Sequence, residues 1–541
     1  MAERALSGIF VDEQNGPEYA IERVSVGVTA FVGRALKGPV NTPIVINSFA
    51  DYQRSFGGLW QPSTMSYAVE QFFDCGGREA IIVRVANGAA PPSITLRGGG
   101  SALTLVGLAP GSREWLRASV DYDGIGANET DQFNLVVQRL RSAGSELIED
   151  QEIYRRLTTA ADNPSYVVDA LSVSRLVRVQ GGVPAQRPDR SPPAASGAVV
   201  GYCGSNTDGD DGQPLSDYDI IGSAHNNSGL FALRAAPRFS LLCIPPLTRS
   251  IDVGATTLII ASRLCRERNA LLAVDPPSSW TDAATAIAGL PDWQFRSENA
   301  VMFFPRIVAI DRLRGRYEAF APCGVVAGLM AREDAPSPWL GARASSDDLL
   351  LRPGMRAASV LDDSQRLRLA HHGVNSLQSA PPAAHIAART LAASSGVSCH
   401  WRHLSMRRLA LLIASSIEQG TRWVMFEHNA MPLWQRARAQ VGAFLEALDQ
   451  EGSFGQHSAS ANYFVICDQR LNTPVTVAER KFHVLYGLAT RHRGEFNAFL
   501  VTHQAGDSRV RHAVVNRMAT SGHEVEAEIE TALLRGLTAA A

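Results

Sequence analysis

Lysine is almost missing from this chain: Lys37 and Lys481 are the only ones, so nearly all of the 51 basic residues are arginine. That scarcity excludes most lysine chemistry. There is no Walker lysine and no S-x-x-K motif, and neither lysine lies in an obvious pocket for a Schiff base. Codon bias in a GC-rich genome accounts for an arginine surplus, although arginine's planar fork also suits ion pairs between subunits. Cysteine is sparse as well. The 7 cysteines (Cys75, Cys203, Cys243, Cys265, Cys323, Cys399 and Cys467) are odd in number and contain no C-x-x-C pair, which argues against a zinc knuckle or a disulfide framework. Several sit in apolar runs such as SLLCIPP and YFVICD and read as buried thiols of a reducing cytoplasm. Charged residues make up 19% of the chain, below the usual ~25%, as expected where much surface packs against other protein. A net charge of −2 gives no long-range attraction to nucleic acid or anionic membrane. No apolar run approaches the ~18 residues of a membrane-spanning helix. The N-terminal MAERALSGIF has neither a long apolar core nor a cleavage site, so no signal peptide is expected.

What is present is ample core material: 45% of 541 residues are hydrophobic, enough for two to four domains. Two Pro/Gly-rich stretches, NGAAPPSITLRGGGS (87–101) and QGGVPAQRPDRSPPAASG (180–197), bracket alternating segments such as WLRASVDYDG (115–124) and FNLVVQRL (133–140). These read as strands of a β-rich insertion hinged at its two ends. After residue 197 short continuous apolar strands (FSLLCI, ALLAV, AVMFFP) alternate with helical stretches (TTLIIASRLCRERN, WTDAATAIAGL, CGVVAGLMARED). That rhythm predicts a parallel, doubly wound α/β sheet, to which VGVTAFVG (26–33) and AIIVRVA (80–86) add strands.

The segment Cys399–Gly452 predicts two amphipathic helices. Leu409, Leu412, Ile413, Ser416 and Ile417 recur at helical spacing, with Gly420 as a C′ stop. Trp423–Phe426 reads as a short strand. Trp434, Ala437, Val441, Phe444, Leu445 and Leu448 then form the buried face of the second helix. Arg402, Arg407 and Arg408 sit near the start of the first helix and Arg436 and Arg438 near the start of the second, where cations oppose the helix dipole. A partner outside the helix is expected to compensate them. Arg436 and Arg438 are the candidates for an inner, partner-facing basic surface, with pairing inside the chain as the alternative. Near the chain ends lie two strand-like segments, GIFVDE (8–13) and EFNAFLVTH (495–503). A lone strand cannot satisfy its own backbone groups, so each needs a sheet edge, in this chain or in another.

Candidate chemistry is thin. Asn206, Asp208, Asp210 and Asp217 mimic the spacing of a calcium loop, but Asp211 stands where that loop needs glycine and the twelfth residue is not glutamate; a turn is expected. His400 and His403 beside Cys399, the His371–His372 pair, and His523–Glu524 without a second histidine all lack further metal ligands. Asp275 ends an apolar strand, a position where α/β folds bind ligands, yet the following Pro-Pro favours a turn. No G-x-S-x-G elbow or G-x-G-x-x-G loop occurs. No catalytic residue, metal or cofactor is expected.

Taken in order, these segments resemble the contractile tail sheath proteins of myophages, R-type tailocins and extracellular contractile injection systems. The similarity runs through SGIFVDEQNGPEYAIERVSVGVTAFVGRALKGPVNTPIVINSFADYQRSFGG and YAVEQFFDCGGREAIIVRVA. It continues in DGDDGQPLSDYD, SGLFAL and SLLCIPP, and ends in AARTL (387–391), the WRHLSMRRLALLIASSIEQGTRWVMFEHNAMPLWQRARAQVGAFL segment and YFVICD. The resemblance implies an α/β fold: a subtilisin-like doubly wound core without a triad, an inserted mostly-β outer domain and an α+β inner domain built from both chain ends. Its expected division is a 1–26 arm, 27–92 and 199–380 as the middle domain, 93–198 as the outer domain, 381–504 as the inner domain and 505–541 as an extension.

It also implies a role. Gly8, Ile9, Phe10, Val11, Asp12 and Glu13 would form one inter-subunit strand. Glu495, Phe496, Asn497, Ala498, Phe499, Leu500 and Val501 would form the other. Stacked six-fold rings would enclose an inner tube between baseplate and cap proteins, without nucleic acid or membrane insertion. Assembly would take place in a bacterial cytoplasm, in a virion tail or an injection particle. Contraction would be driven by new interfaces, not by nucleotide hydrolysis. Departures from the pattern are His428, Ala430 and Met431 in EHNAMPLW, AARTL without a preceding W-G, and the C-terminal continuation, where Val525, Ile529, Leu533 and Leu534 suggest a short helix. They point to a specialised paralogue at a baseplate or cap end as the alternative, with a non-contractile shell protein or an enzyme on the same core as further readings.

Overall fold

The computed structural model describes residues 20–192, 201–332, 349–380, 386–392, 401–454, 462–489 and 496–514. They fall into two compact units, one of the described residues between 26 and 392 and one joining 20–25 to those from 401 onward. The fold is mixed α/β, with five sheets among the described residues.

The first unit is built on a seven-stranded sheet, in the order Val374–Ser376, Ala300–Phe304, Leu271–Val274, Leu241–Cys243, Thr29–Gly33, Ala80–Arg84, Ile44–Ile46. All neighbours are parallel except the last pair, in which Ile44–Ile46 runs against Ala80–Arg84. Strands covered on both faces need apolar side chains at every position, and TAFVG, AIIVR, LLAV and AVMFF are each buried throughout. Thr29 and Arg84 break the rule. Arg84 is 1% exposed, and its guanidinium donates to the carbonyls of Ala35 (3.1 Å), Gly38 (2.5 Å) and Pro110 (2.7 Å). Three carbonyl acceptors hold this cation at the end of its strand and pin the 35–38 loop. Burial lowers its pKa to about 10, which leaves it charged at neutral pH.

Helix Cys323–Met330 is buried on every residue and packs against helix Thr64–Asp74. A Cβ on Gly324 would lie 2.2 Å from the Ala68 carbonyl oxygen and one on Gly328 2.5 Å from that of Phe72. The glycines four apart thus let two backbones touch, an approach no other residue allows.

The β-rich region holds two antiparallel sheets, Cys203–Gly204/Trp115–Asp121/Gln132–Leu140/Ile148–Thr158 and Ser93–Gly98/Ser101–Gly107/Val177–Gln180. Their inward residues, among them Ile94, Leu103, Leu105, Phe133, Leu135 and Val137, form a core of their own. A smaller sheet, Arg316–Phe320/Ile307–Asp311/Arg356–Ala357, completes the unit.

The second unit pairs two helices, Leu404–Gly420 and Met431–Gln450, with a four-stranded antiparallel sheet in the order Tyr463–Ile466, Lys481–Ala489, Phe496–Gln504, Asp507–Val514. Their common core contains Leu409, Ile413, Ile417, Val441, Leu445 and Leu448 from the helices and Val484, Tyr486, Phe499 and Val501 from the sheet.

Candidate assembly sheet

The strand segments expected from the sequence have different fates. Gly8, Ile9, Phe10, Val11, Asp12, Glu13 and Glu495 lie outside the described residues. So do Cys399, His400, His523, Val525, Ile529, Leu533 and Leu534. Phe496, Asn497, Ala498, Phe499, Leu500 and Val501 do form a strand, Phe496–Gln504, but it is internal. One side pairs along its whole length with Lys481–Ala489 and the other with Asp507–Val514. Expected as a donated arm, the segment is here fully paired within its own chain. The physical reason is the two-residue turn Ala505–Gly506. Gly506 takes φ +81°, a left-handed conformation that glycine adopts without cost, and the chain returns as a hairpin. The returning strand DSRVRHAV was not foreseen, although Ser508, Val510 and His512 alternate with exposed Asp507, Arg509 and Arg511.

Among the described residues the sheet's outer strands are Tyr463–Ile466 and Asp507–Val514, each paired on one side only. They differ in character. Arg509 and Arg511 are exposed along the second and discourage pairing, whereas Tyr463, Phe464 and Val465 are half-buried apolar residues on the first.

The sheet is fastened to the first helix by His503. This side chain is 1% exposed, with Nε2 2.8 Å from Thr421 Oγ1 and Nδ1 2.8 Å from Ser508 Oγ. Thr421 has a single hydroxyl proton, which it gives to the Ile417 carbonyl at 2.6 Å. Thr421 Oγ1 must therefore accept from His503 Nε2–H, which leaves Nδ1 to accept from Ser508. The ring is neutral, and burial first, then the nearby Arg422 and His483, lower its pKa to about 4.

The helices differ from expectation at their junction. Gly420 is the last helical residue rather than the C′ stop, with Thr421 as the cap. Its use is close approach: a Cβ there would meet Ile21 Cγ1 at 2.8 Å. The 20–25 segment also donates from the Val24 amide to Ser416 Oγ at 3.1 Å. The expected strand Trp423–Phe426 is a 3₁₀ turn, Arg422–Phe426, burying only Val424. A connector this short between two helices forms local i→i+3 bonds, such as Val424 N–H to Thr421 O at 3.2 Å. Trp434, expected in the core, is half-buried and donates to Asn429 Oδ1 at 2.7 Å.

The arginines divide. Arg407 is 3% exposed with its guanidinium 5.0 Å from the centre of the Trp401 ring. Arg436 pairs within the chain, 3.0 Å from Glu427 Oε2, and lies over Trp423 at 5.1 Å. Arg438 is exposed on the Met431–Gln450 helix.

The other candidates from the sequence are tied down locally. Asp210 caps Gly212, Asp211 accepts from both the amide and hydroxyl of Ser112, and Asp217 accepts from Gly254 and Thr257. His371 ends a helix with His372 as its cap, and His403 caps another. Among the described residues no group of three or more His, Cys, Asp or Glu side chains is placed to hold a metal. No described helix is long and apolar enough to cross a membrane.

No family model and no curated protein sequence matches this chain. Solved structures do. The sheath tail protein Lin1278 from Listeria innocua is 13% identical with a TM-score of 0.57, over 91% of this chain and 98% of that one. The sheath complex of the PVC extracellular contractile injection system, in its contracted state, is 15% identical with a TM-score of 0.50, over 92% and 97%. A chain of the contracted baseplate of the anti-feeding prophage is 15% identical with a TM-score of 0.50, over 91% and 97%. The fold of this chain is that of tail sheath proteins.

Proposed function

We propose that this chain is a structural, non-enzymatic subunit of a contractile sheath. Copies polymerise as stacked six-fold rings around an inner tube, between baseplate and cap proteins. A change to a wider, shorter lattice with larger contacts drives the tube through a target envelope. The observation that carries this reading is two-way coverage: 91% of this chain and 98% of the Lin1278 chain correspond, a likeness of whole chain to whole chain. We read the seven-stranded sheet as a subtilisin-like core serving as scaffold, residues 93–198, which supply all but the Cys203–Gly204 strand of the two antiparallel sheets, as an outer domain, and the helix–sheet unit as the inner one. Assembly takes place in a bacterial cytoplasm, and the particle is a phage tail, a tailocin or an injection system.

In this reading residues 8–13 of one subunit add a strand to an open edge of a neighbour's sheet, with the apolar edge Tyr463–Ile466 the better acceptor. The 496–501 strand joins subunits by exchange: the pairing it makes within its own chain here is made with a neighbour's sheet in the lattice. Arg438 is the tube-facing cation, Arg436 being engaged with Glu427. A second reading is a paralogue at the baseplate end, since a chain of a contracted baseplate matches as well as the sheath complex does, with a TM-score of 0.50 in each case.

Negative-stain microscopy of the purified protein tests the proposal. The full chain should form tubes, and a variant lacking residues 1–14 should remain a folded monomer. If the full chain forms no tube with or without its tube protein, the sheath reading fails; normal tubes from the truncated chain would remove strand donation alone. Position along an intact particle separates trunk from baseplate subunits.

A further inference from the structure

The sequence suggests a hinge at each end of the β-rich insertion, and the structure shows fastenings instead. Residues 180–192 are laid along the insertion itself. The Asp189 amide donates to the Arg97 carbonyl at 2.7 Å and the Ser191 amide to the Val120 carbonyl at 2.9 Å, while Arg187 Nη1 donates to the carbonyls of Glu129 and Gln132 at 3.0 and 2.8 Å. The chain leaves the α/β body through 87–93 and returns through 206–213, and these two crossings pair as a ribbon. Ala90 and Asp210 exchange amide-to-carbonyl bonds at 3.1 and 2.8 Å, and the amides of Ser93 and Gln213 donate to the carbonyls of Thr207 and Asn87 at 3.1 and 2.8 Å. A Cβ on Gly212 would lie 2.2 Å from the Asn87 oxygen, and one on Gly209 2.1 Å from the Gly111 oxygen. Contact this close requires glycine, which gives the DGDDG run at 208–212 a mechanical use.

Side chains tie the ribbon and the insertion to the body at two places. From the body, Arg34 Nη2 donates to the carbonyls of Asp211 and Gly212 at 3.0 and 2.9 Å. The Asp211 carboxylate reaches into the insertion, where Oδ1 accepts from the Ser112 amide and Oδ2 from its hydroxyl, each at 2.8 Å. Beside Ser112, the Pro110 carbonyl accepts from Arg84 of the body at 2.7 Å. Arg34, Asp211, Ser112, Pro110 and Arg84 thus form a circuit that runs through both parts and back. The second tie is Lys37 Nζ, on the loop that Arg84 pins, 2.7 Å from Glu149 Oε2 on the Ile148–Thr158 strand of the insertion. Their side chains are only 11% and 27% exposed, so water screens the pair less than it would a surface one.

A two-stranded ribbon alone is a weak joint, and ties at two further points remove its freedom to pivot. We propose that Asp211 and the Lys37–Glu149 pair are positioning clamps that hold the insertion in one orientation on the α/β body, so that the two turn as a single piece. Both clamps lie within one chain and stand independently of any assembly.

Lys37 is one of only two lysines, which makes zero-length coupling a direct readout of the closed clamp. A carbodiimide activates the Glu149 carboxylate, the Lys37 amine displaces the activated oxygen, and an amide forms as the carbodiimide leaves as its urea. Peptide mass spectrometry of the full chain should find Lys37 joined to Glu149, with the Lys481–Glu479 contact at 2.6 Å as internal reference. Hydrogen exchange then reads the opening. Asp211→Ala removes two charge-assisted hydrogen bonds and should speed exchange of the 87–93 and 206–213 amides about tenfold or more. Lys37→Met touches no residue of the ribbon, yet should speed the same amides roughly threefold, and Lys37→Arg should restore them. The strands Ala80–Arg84 and Gln132–Leu140 should keep their protection throughout; Glu149→Gln replaces Lys37→Met if that variant loses it. Absence of the Lys37–Glu149 link where Lys481–Glu479 couples, or unchanged ribbon exchange in either clamp variant, would overturn the proposal.

Discussion

His503 sits where a strand, a helix cap and a hairpin meet, and its burial, beside Arg422 and His483, keeps the ring neutral. A second proton would enter on Nδ1 and turn the Ser508 hydroxyl, 2.8 Å away, from donor to acceptor. The folded ring titrates near 4, whereas an unfolded histidine titrates near ~6.5. Between those values the unfolded chain binds the extra proton and the folded chain does not. The stability His503 provides is therefore complete above about pH 6.5 and is lost as pH falls toward about 4, by roughly 3 kcal/mol in all. Urea unfolding of the full chain, followed by tryptophan fluorescence across that range, should show the decline. His503→Gln should lower stability near neutrality and flatten the slope; an unchanged slope in the variant would assign the acid sensitivity elsewhere. His483, whose pKa burial also lowers, contributes in the same direction.

At the scale of elements, Gly420 decides how the 20–25 segment lies on the first long helix. Replacing a helical glycine by alanine normally stabilises by up to ~1 kcal/mol. Here the new Cβ would press on Ile21 Cγ1 at 2.8 Å, so Gly420→Ala should instead destabilise by roughly 1–3 kcal/mol. Trimming the neighbour should relieve it: the double variant Gly420→Ala, Ile21→Ala should be more stable than the sum of the single changes, and strict additivity in thermal unfolding would show that the contact is not the cause.

Glycine's two uses here explain what the sequence could reveal. Strands buried on both faces announce themselves, because every position must be apolar; AVMFF and LLAV were legible for that reason, as was the 3.6-residue period of Leu409–Ile417. Trp423–Phe426 was misread because four apolar residues carry no period long enough to separate a strand from a 3₁₀ turn. Gly420 read as a stop because its real neighbour, Ile21, is far away in sequence. The pairing of Phe496–Gln504 on both sides was hidden for the same reason. The composition of a strand shows that it needs partners, whereas which partners it has depends on turns such as Ala505–Gly506. Arg436 and Arg438 looked alike in the sequence, and only the folded position of Glu427 separates them.

For the whole molecule the question is which chain supplies the strands that flank Phe496–Gln504. In the single chain all the pairs from Lys481↔Gln504 to Ala489↔Phe496 are internal. If subunits in a sheath are joined by exchange, the same register forms between chains, because a swapped strand reuses the contacts it made at home. The two states share their contacts and differ only in connectivity, so a probe of covalent connectivity separates them. His483 and Thr502 face each other in this register, and cross-strand neighbours have Cβ atoms about 5 Å apart. A chain carrying His483→Cys and Thr502→Cys, treated with a short bis-maleimide, should give only internally linked monomer when dilute and unassembled. Linked after assembly into tubes and then denatured, it should give covalent dimers and longer ladders if the strand is exchanged, with each single-cysteine variant as control for links through native thiols. Monomer alone from assembled tubes would mean that the sheet stays closed in every subunit. The connection between rings would then rest on residues 8–13 and the open Tyr463–Ile466 edge alone.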